Sequence, residues 1–172
     1  QGSGTIELTS SIALSDQVTI DSGKTIILDM NGETLSIGFS DSSKNLIVNN
    51  GTLTITGDGT FDATEATSYK GFINNYGTLT VENGTFQIAD KAMTVHLRNQ
   101  DGGKAVINGG TFSGGATIVR SFEGSNTTIT GGSFTNSVYP AVDVNGETLI
   151  TGGIFTNTSC SRCDSQNWGY TV

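Results

Sequence analysis

The chain has 172 residues and a mass of 17.9 kDa, which fits a single domain with a core of its own. Its formal net charge of -8 and isoelectric point near 4.3 exclude nucleic acid and anionic membrane as expected partners, since both are bound by clustered Lys and Arg. Many Gly, Thr, Ser, Val and Ile residues and a single proline favour short strands and tight turns, so we expect an all-β chain.

The first twenty residues carry aliphatic side chains at alternating positions, which is the period of strands with one buried face. These side chains belong to Ile6, Leu8, Ile12, Leu14, Val18 and Ile20. Residues 1–20 are therefore predicted to form an N-terminal cap or first coil. The opening Gln1-Gly-Ser-Gly resembles a cloning remnant and the ending Tyr170-Thr-Val172 resembles an interrupted strand, so we expect a module excised from a larger protein.

A repeated unit organises residues 21–155, and its copies end on a phenylalanine preceded by a glycine turn. The copies are Thr52–Phe61, Thr78–Phe86, Ala105–Phe112, Thr127–Phe134 and Thr148–Phe155, with successive phenylalanines 25, 26, 22 and 21 residues apart. A diverged copy precedes them, in which Met30 replaces the central isoleucine and Leu35 replaces the phenylalanine. The glycine pairs, such as Gly131-Gly132, are predicted to mark a corner that requires positive φ.

Aligned in this way, the copies predict two buried columns of like residues. One column is Met30, Ile55, Val81, Ile107, Ile129 and Ile150, and the other is Leu35, Phe61, Phe86, Phe112, Phe134 and Phe155. Another short strand lies ahead of each copy, at residues 46–50, 72–75, 94–98, 117–120 and 141–145. Each repeat is therefore predicted to contain three strands.

Three short strands in a period of 21 to 26 residues predict a single-stranded parallel β-helix of about six to seven coils. Each strand would pair with its counterpart one coil away, at about 4.8 Å. The general preference for right-handed crossovers predicts a right-handed helix. A β-sandwich is the main alternative, but its strands would not align Phe and Ile at one fixed period.

The tail, residues 156–172, is predicted to form a C-terminal cap over the last coil, with Trp168 covering it. Cys160 and Cys163 are close enough in sequence to close one small disulfide loop, or they remain free thiols. The pair supplies at most half of a structural zinc site, and the chain has one histidine, His96. We therefore expect no metal and no cofactor.

Nearly the whole chain resembles the β-helical repeat regions of large surface proteins of Gram-positive, often gut-dwelling, bacteria. The resemblance is carried by Ser22-Gly-Lys-Thr-Ile-Ile-Leu-Asp-Met-Asn-Gly-Glu-Thr-Leu35 and by the Asn-Gly-Gly-Thr-Phe unit at residues 108–112 and its equivalents. It implies the pectate-lyase-like fold and an extracellular, wall-attached, adhesin-like role beside other domains of the same polypeptide. The cysteine-containing tail departs from the family pattern, and attachment to the wall is implied only by the resemblance.

Catalysis is not expected. A polysaccharide lyase or hydrolase of this superfamily needs carboxylates clustered on one face, as calcium ligands or as an acid/base pair. The acidic residues are instead scattered over corners and loops: Asp58, Asp62, Glu65, Asp90, Asp101, Glu123, Asp143 and Glu147. A carbohydrate-active enzyme stays the alternative hypothesis.

Two sets of residues are candidates for ligand binding. His96 and Arg98, Arg120, and Asp143 lie in the extra strand of three successive repeats, and we expect an outward-facing polar ladder that suits an anionic glycan or a protein carboxylate. An ordinary solvated face with one Arg–Asp pair explains the same pattern. The aromatic residues Tyr69, Tyr76, Phe122 and Tyr139 fall in loops or corners, where they either stack on sugar rings or pack loops onto the rod.

These observations favour a non-catalytic extracellular module of a bacterial surface protein, adhesin-like, that contacts a host glycan or host protein. A purely structural spacer is the third hypothesis. No apolar run approaches the roughly 20 residues that cross a bilayer, so direct membrane insertion is not expected.

Overall fold

A computed structural model describes residues 2–65, 71–89, 94–136 and 139–157, and in it the chain forms a parallel β-solenoid. The described ranges contain 20 strands and no helix. None of the described residues forms a helix that is long and apolar enough to span a membrane. The all-β solenoid predicted from the repeats is confirmed.

Each coil contributes one strand to each of three sheets, which we call A, B and C in chain order. The coils are β1 (Gly4–Glu7), β2 (Ile12–Leu14) and β3 (Val18–Ile20); β4 (Thr25–Asp29), β5 (Thr34–Ile37) and β6 (Ile47–Asn49); β7 (Thr52–Thr56), β8 (Thr60–Ala63) and β9 (Ile73–Asn75); β10 (Thr78–Val81), β11 (Thr85–Ile88) and β12 (Val95–Asn99); β13 (Lys104–Ile107), β14 (Thr111–Ser113) and β15 (Thr117–Ser121); and β16 (Asn126–Ile129), β17 (Ser133–Asn136) and β18 (Val142–Val144). Two further strands, β19 (Glu147–Ile150) and β20 (Ile154–Asn157), begin a seventh coil.

The phenylalanine column predicted from the repeats is confirmed and forms a continuous stack inside the rod. Phe61, Phe86, Phe112, Phe134 and Phe155 pair in register through sheet B. Neighbouring rings are nearly parallel, with centroids 4.6, 4.6, 5.0 and 4.7 Å apart. This spacing follows the strand separation, so the same backbone ladder sets the distance between coils and the contact between rings.

The isoleucine column needs one correction. Leu28, not Met30, pairs with Ile55, while Met30 lies two residues further on, in the corner between β4 and β5. Its N–H donates to the carbonyl oxygen of Thr56 at 2.9 Å, and its side chain is fully buried. The first corner is longer than the next, because Leu28 and Leu35 are seven residues apart whereas Ile55 and Phe61 are six apart. The interval of 25 residues between Met30 and Ile55 matches the later repeat intervals, but it does not correspond to a pairing between strands.

The glycine pairs at the corner between sheets A and B meet two different requirements, as Gly109 and Gly110 illustrate. A Cβ on Gly109 would stand 2.5 Å from the carbonyl oxygen of Glu82 in the preceding coil. Gly110 has a φ of +99°, which side chains rarely adopt. Positive φ, which the sequence predicts for the corner, is thus needed at the second glycine, and close coil-to-coil approach explains the first.

Residues 4–20 form the first coil. Ile6 heads the column that continues with Leu28 and Ile55, yet it is 45% exposed. Leu28 is 8% exposed and Ile55 is fully buried. Exposure therefore falls along the column, because Leu28 and Ile55 each have a preceding coil packed against them. The predicted C-terminal cap lies outside the described residues apart from Thr156 and Asn157, and so do Cys160, Cys163 and Trp168.

A ladder of buried asparagines runs along the inner edge of sheet C. Asn49 Nδ2 donates to Asn75 Oδ1 at 2.7 Å, and Asn75 Nδ2 donates to Asn99 Oδ1 at 2.8 Å. Asn99 Nδ2 continues to the hydroxyl of Thr127 at 2.9 Å. Because a buried amide is costly unless it is hydrogen-bonded, this ladder fixes the register of the corner that leads from sheet C into sheet A.

Candidate functional site

The outer face of sheet C brings together most of the polar residues that the sequence singles out. One outward column runs through all six strands of this sheet. Its members are Thr19, Val48, Asn74, Arg98, Arg120 and Asp143, each paired in register with the next. The predicted alignment of Arg98, Arg120 and Asp143 is therefore present, and Asn74 extends it by one coil.

These side chains point outward because each precedes a member of the inner ladder. Asn74 precedes Asn75, and Arg98 precedes Asn99, in strands where successive side chains face opposite sides of the sheet. A one-residue slip of a strand would place the arginine inside and the asparagine outside. The buried amide ladder thus holds the arginines on the surface.

Arg120 and Asp143 form an ion pair across adjacent coils. Nε of Arg120 donates to Oδ2 of Asp143 at 2.7 Å. The side chain of Asp143 is 6% exposed, whereas that of Arg120 is 32% exposed. Among the described residues, the terminal nitrogens of Arg120 make no hydrogen bond. The buried carboxylate therefore orients the guanidinium and leaves its outer N–H groups for another acceptor.

Arg98 lies beside this pair and is held by an aromatic ring. Its guanidinium carbon lies 5.2 Å from the ring centroid of Phe122, within the range of a cation–π contact. Burial, and secondly the charge of Arg120, lowers the pKa of Arg98. Two guanidinium groups thus lie one coil apart, with one carboxylate beside them.

A second column lies at the corner that leads from sheet C to sheet A. The backbone N–H groups of Tyr76, Gln100 and Phe122 donate hydrogen bonds to backbone carbonyl oxygens one coil earlier. The acceptors are Asn49, Asn75 and Asn99, at 2.8, 2.9 and 2.8 Å. The side chains of Tyr76, Gln100 and Phe122 therefore follow one another along the rod beside the outward column. Nε2 of Gln100 donates to Asn74 Oδ1 at 2.6 Å, and Asn74 Nδ2 donates to the Tyr76 hydroxyl at 3.3 Å. The Tyr76 side chain stays accessible, with the residue 47% exposed.

We call this surface the arginine patch. It consists of Asn74, Tyr76, Gln100, Arg98, Phe122, Arg120 and Asp143, contributed by four successive coils.

The outward placement predicted for His96 is wrong. His96 is 2% exposed, and its ring lies 5.5 Å from the ring of Phe72 and 6.0 Å from that of Phe112 in sheet B. Its strand begins at the junction of sheets B and C, so a side chain at this point contacts both sheets instead of solvent. Nε2 contacts the carbonyl oxygen of Gly114 at 3.2 Å, while Nδ1 has no partner among the described residues. Burial lowers the pKa of His96 to about 4, so the ring is neutral at pH 7.

The remaining candidates do not join the arginine patch. Tyr139 lies in the loop from β17 to β18, at the corner between sheets B and C, where its N–H donates to the carbonyl oxygen of Ala116 at 3.1 Å. Tyr69, Cys160 and Cys163 lie outside the described residues. Two aromatic side chains, Tyr76 and Phe122, are therefore the ones that the structure places beside the arginines.

Of the carboxylates predicted to be scattered over corners and loops, Asp90 lies outside the described residues and Asp143 forms the ion pair with Arg120. Within the described part of the chain, no three His, Cys, Asp or Glu side chains are grouped so that they could hold a metal ion. Asp58 accepts a hydrogen bond from Asn83, and Glu82 accepts one from Asn108, both at the corner between sheets A and B. These contacts link adjacent coils.

Sequence reasoning missed Asn74 and Gln100. Asn74 was placed only within the predicted strand at residues 72–75, and Gln100 was assigned to no element, although Asn74 precedes Arg98 by 24 residues and Gln100 follows Tyr76 by 24, which is one coil interval. Alignment of every outward position by coil, in addition to the charged ones, would have found them.

Comparison with protein-family models, with curated proteins and with solved structures found no match. The structure supports the β-helical repeat that the resemblance implies, and no match supports the finer assignment to Gram-positive adhesins or to the pectate-lyase-like superfamily.

Proposed function

We propose that this chain is a non-catalytic, extracellular recognition module of a bacterial surface protein, and that its arginine patch binds a glycan bearing a carboxylate. The observation that carries the proposal is the ion pair of Arg120, in which a buried carboxylate orients a partly exposed guanidinium. A guanidinium held in this way can donate hydrogen bonds from its outer nitrogens to a planar carboxylate. Because the side chain is already oriented, little side-chain entropy is lost on binding.

The neighbours of Arg120 favour a sugar over other anions. Tyr76 offers an accessible aromatic face, and Gln100 and Asn74 offer amide groups that can exchange hydrogen bonds with hydroxyls. Ligand sites commonly combine such apolar surface with a few precisely placed polar groups. The resemblance to bacterial surface repeats supports the extracellular placement and the adhesin-like role.

A glycan array probed with the intact chain tests the proposal. Glycans with carboxylates should be retained without cleavage, and Arg120→Gln should abolish retention. Lys104→Gln is the matched control, because Lys104 is exposed on β13 in sheet A and its replacement removes the same charge from a different face. Retention that survives Arg120→Gln, or that is lost equally in both variants, would contradict the proposal.

Two other results would support one of the alternative functions instead. Product formation from a polysaccharide would support the carbohydrate-active enzyme. Silence on the array, together with binding of the chain to host proteins or to nothing, would favour a protein ligand or a structural spacer.

A further inference from the structure

We propose that Asn108 is a modification site, at which the side-chain amide is lost as ammonia and an aspartate or isoaspartate forms at the corner between sheets A and B. The reaction needs only water as a co-reactant, and it does not depend on the arginine patch. Its product adds a negative charge opposite Glu82 in the preceding coil, which weakens the contact between the fourth and fifth coils.

The candidates for this reaction are the asparagines that precede a glycine, because a glycine leaves its own backbone nitrogen sterically accessible. They are Asn31, Asn50, Asn83, Asn108 and Asn145. In the reaction, the glycine nitrogen gives up its proton and attacks Cγ of the asparagine before it. A nitrogen whose proton is held in a hydrogen bond is therefore protected.

Three of the five glycines donate their N–H groups within the chain. The donors are Gly32, Gly51 and Gly146, and the acceptors are the carbonyl oxygen of Asp58, Oδ1 of Asn49 and the carbonyl oxygen of Ser121. In the part of the chain that the structure describes, the N–H groups of Gly84 and Gly109 make no hydrogen bond. This distinction leaves Asn83 and Asn108 as the reactive candidates.

The side chain of Asn108 is activated by its neighbours. The hydroxyl of Thr130 donates to Oδ1 of Asn108 at 2.8 Å, and Nδ2 of Asn108 donates to Oε2 of Glu82 at 3.0 Å. Negative charge develops on Oδ1 when Cγ is attacked, and a donor already directed at that oxygen stabilises it. The negative charge of Glu82 favours protonation of the nitrogen that leaves as ammonia.

Asn83 lacks this pair of contacts. Its Nδ2 donates to Asp58, but no described residue donates to its Oδ1. Gly84 is buried, whereas Gly109 is partly exposed, so water reaches Gly109 more easily. The faster reaction is therefore expected at Asn108.

The backbone at this corner has room to form a ring. The N–H groups of Asn108 and Thr111 donate to the preceding coil at 2.8 and 2.9 Å, whereas Gly109 and Gly110 between them donate no backbone hydrogen bond. Two glycines between two fixed points retain more rotational freedom than any other pair of residues.

The reaction proceeds in two steps. The nitrogen of Gly109 forms a bond to Cγ of Asn108, the bond between Cγ and Nδ2 breaks, and ammonia leaves a cyclic imide in the chain. Water then opens the imide at either of its carbonyl carbons, which gives aspartate or isoaspartate. In sum, water is consumed and ammonia is released, and no oxidant or reductant takes part.

The product changes the contact between coils. Glu82 and Asn108 directly follow the paired residues Val81 and Ile107, so the new carboxylate faces that of Glu82 across adjacent strands. The amide that donated to Glu82 is lost, and like charges opposite each other in a sheet are destabilising. Isoaspartate also adds a methylene to the backbone between β13 and β14.

Peptide mapping by mass spectrometry tests the proposal on the intact chain, kept in mildly alkaline buffer and sampled over several weeks. The peptide with Asn108 should gain the mass difference between an amide and a carboxylic acid at least about tenfold faster than those with Asn31, Asn50 and Asn145. The peptide with Asn83 should react at an intermediate rate. Equal rates at all five asparagines, or the fastest reaction at one of the three protected ones, would overturn the proposal.

Two variants with the same chemical change test the activation. Thr130→Val should slow the reaction at Asn108 about tenfold, because it removes the donor to Oδ1. Thr128→Val is the matched control and should leave the rate unchanged, since Thr128 pairs with Val106 on the same sheet. Melting temperatures of both variants control for folding. A rate that is the same in Thr130→Val as in the unchanged chain would contradict the assigned activation.

A separate pair of variants tests the consequence. Asn108→Asp should lower the melting temperature, and adding Glu82→Gln should restore most of the loss, because it removes the opposing charge. An unchanged melting temperature in Asn108→Asp, or no recovery in the double variant, would show that the new carboxylate does not weaken the contact with Glu82.

Discussion

Nε of Arg120 donates a hydrogen bond to Oδ2 of Asp143 at 2.7 Å, and the two residues occupy the same position of adjacent coils. The carboxylate is almost completely buried and the guanidinium is partly exposed. The pair therefore has two consequences: it links the fifth coil to the sixth, and it fixes the orientation of the cation in the arginine patch.

The first consequence predicts a particular pattern of stability in a double-mutant cycle. Arg120→Ala should lower the free energy of unfolding by about 1–3 kcal/mol, because it leaves the buried carboxylate of Asp143 without its partner. The double variant Arg120→Ala/Asp143→Ala should recover part of this loss. Urea titration of the two single variants and the double variant measures the coupling. Additive losses would show that the pair contributes nothing to stability.

The aromatic stack predicts a position-dependent cost of truncation. Phe112→Ala should cost about 3–5 kcal/mol, because the ring stacks on both Phe86 and Phe134 and its removal leaves a cavity. Phe155 is the matched control, since it is the last ring of the described stack and only partly buried, and Phe155→Ala should cost less. A loss below about 1 kcal/mol for Phe112→Ala in denaturant titration would contradict the buried stack.

The asparagine ladder predicts that two chemically equal substitutions, one residue apart, differ in effect. Asn75→Ala removes the partner of both Asn49 and Asn99 and should cost at least about 2 kcal/mol, since each orphaned buried group costs about 1–3 kcal/mol. Asn74→Ala removes outward contacts only, and its effect should stay within about 0.5 kcal/mol. Thermal or urea unfolding distinguishes the two, and equal effects would mean that the ladder does not hold the coils.

His96 predicts a loss of stability in mild acid. Its pKa is about 4 in the folded chain, against an ordinary value of 6.5. Between these values the unfolded chain binds more protons, so the free energy of unfolding falls as the pH is lowered from 6.5 to 4 and this contribution is constant below pH 4. The total is about 3 kcal/mol.

Carboxylates also titrate in this range, so the comparison uses His96→Leu, which cannot be protonated. Urea unfolding at several pH values should show that the variant loses about 3 kcal/mol less than the unchanged chain between pH 6.5 and 4. If the free energy of unfolding changes equally with pH in the two proteins, His96 is not buried in the folded chain.

The architecture was predictable because solenoid coils repeat the same packing problem. Leu35 and the five phenylalanines that follow it recur at a period that only stacked coils explain, and their register was read correctly from spacing. The same arithmetic placed Arg98, Arg120 and Asp143 side by side. Wherever a residue lies in the middle of a strand, the interval between copies determines its neighbour.

The errors occur where strands begin and end. Met30 was placed in the wrong column because the corner after Leu28 is longer than the later ones, and interval counting cannot detect a change in corner length. His96 was placed outside because strand alternation was extended to a residue where two sheets meet, and there Phe72 and Phe112 enclose it. The ladder of Asn49, Asn75 and Asn99 was overlooked because asparagine near glycine also predicts a turn.

The measurement that tests the binding site most directly is an amide chemical-shift titration of the intact chain with an oligosaccharide that contains glucuronic acid and therefore bears a carboxylate. Saturable shifts should concentrate on β9, β12 and β15 and on the corner residues Tyr76, Gln100 and Phe122, and they should vanish in Arg120→Gln while persisting in Lys104→Gln. Shifts confined to sheets A and B, or shifts that are unchanged by Arg120→Gln, would contradict recognition through the arginine patch.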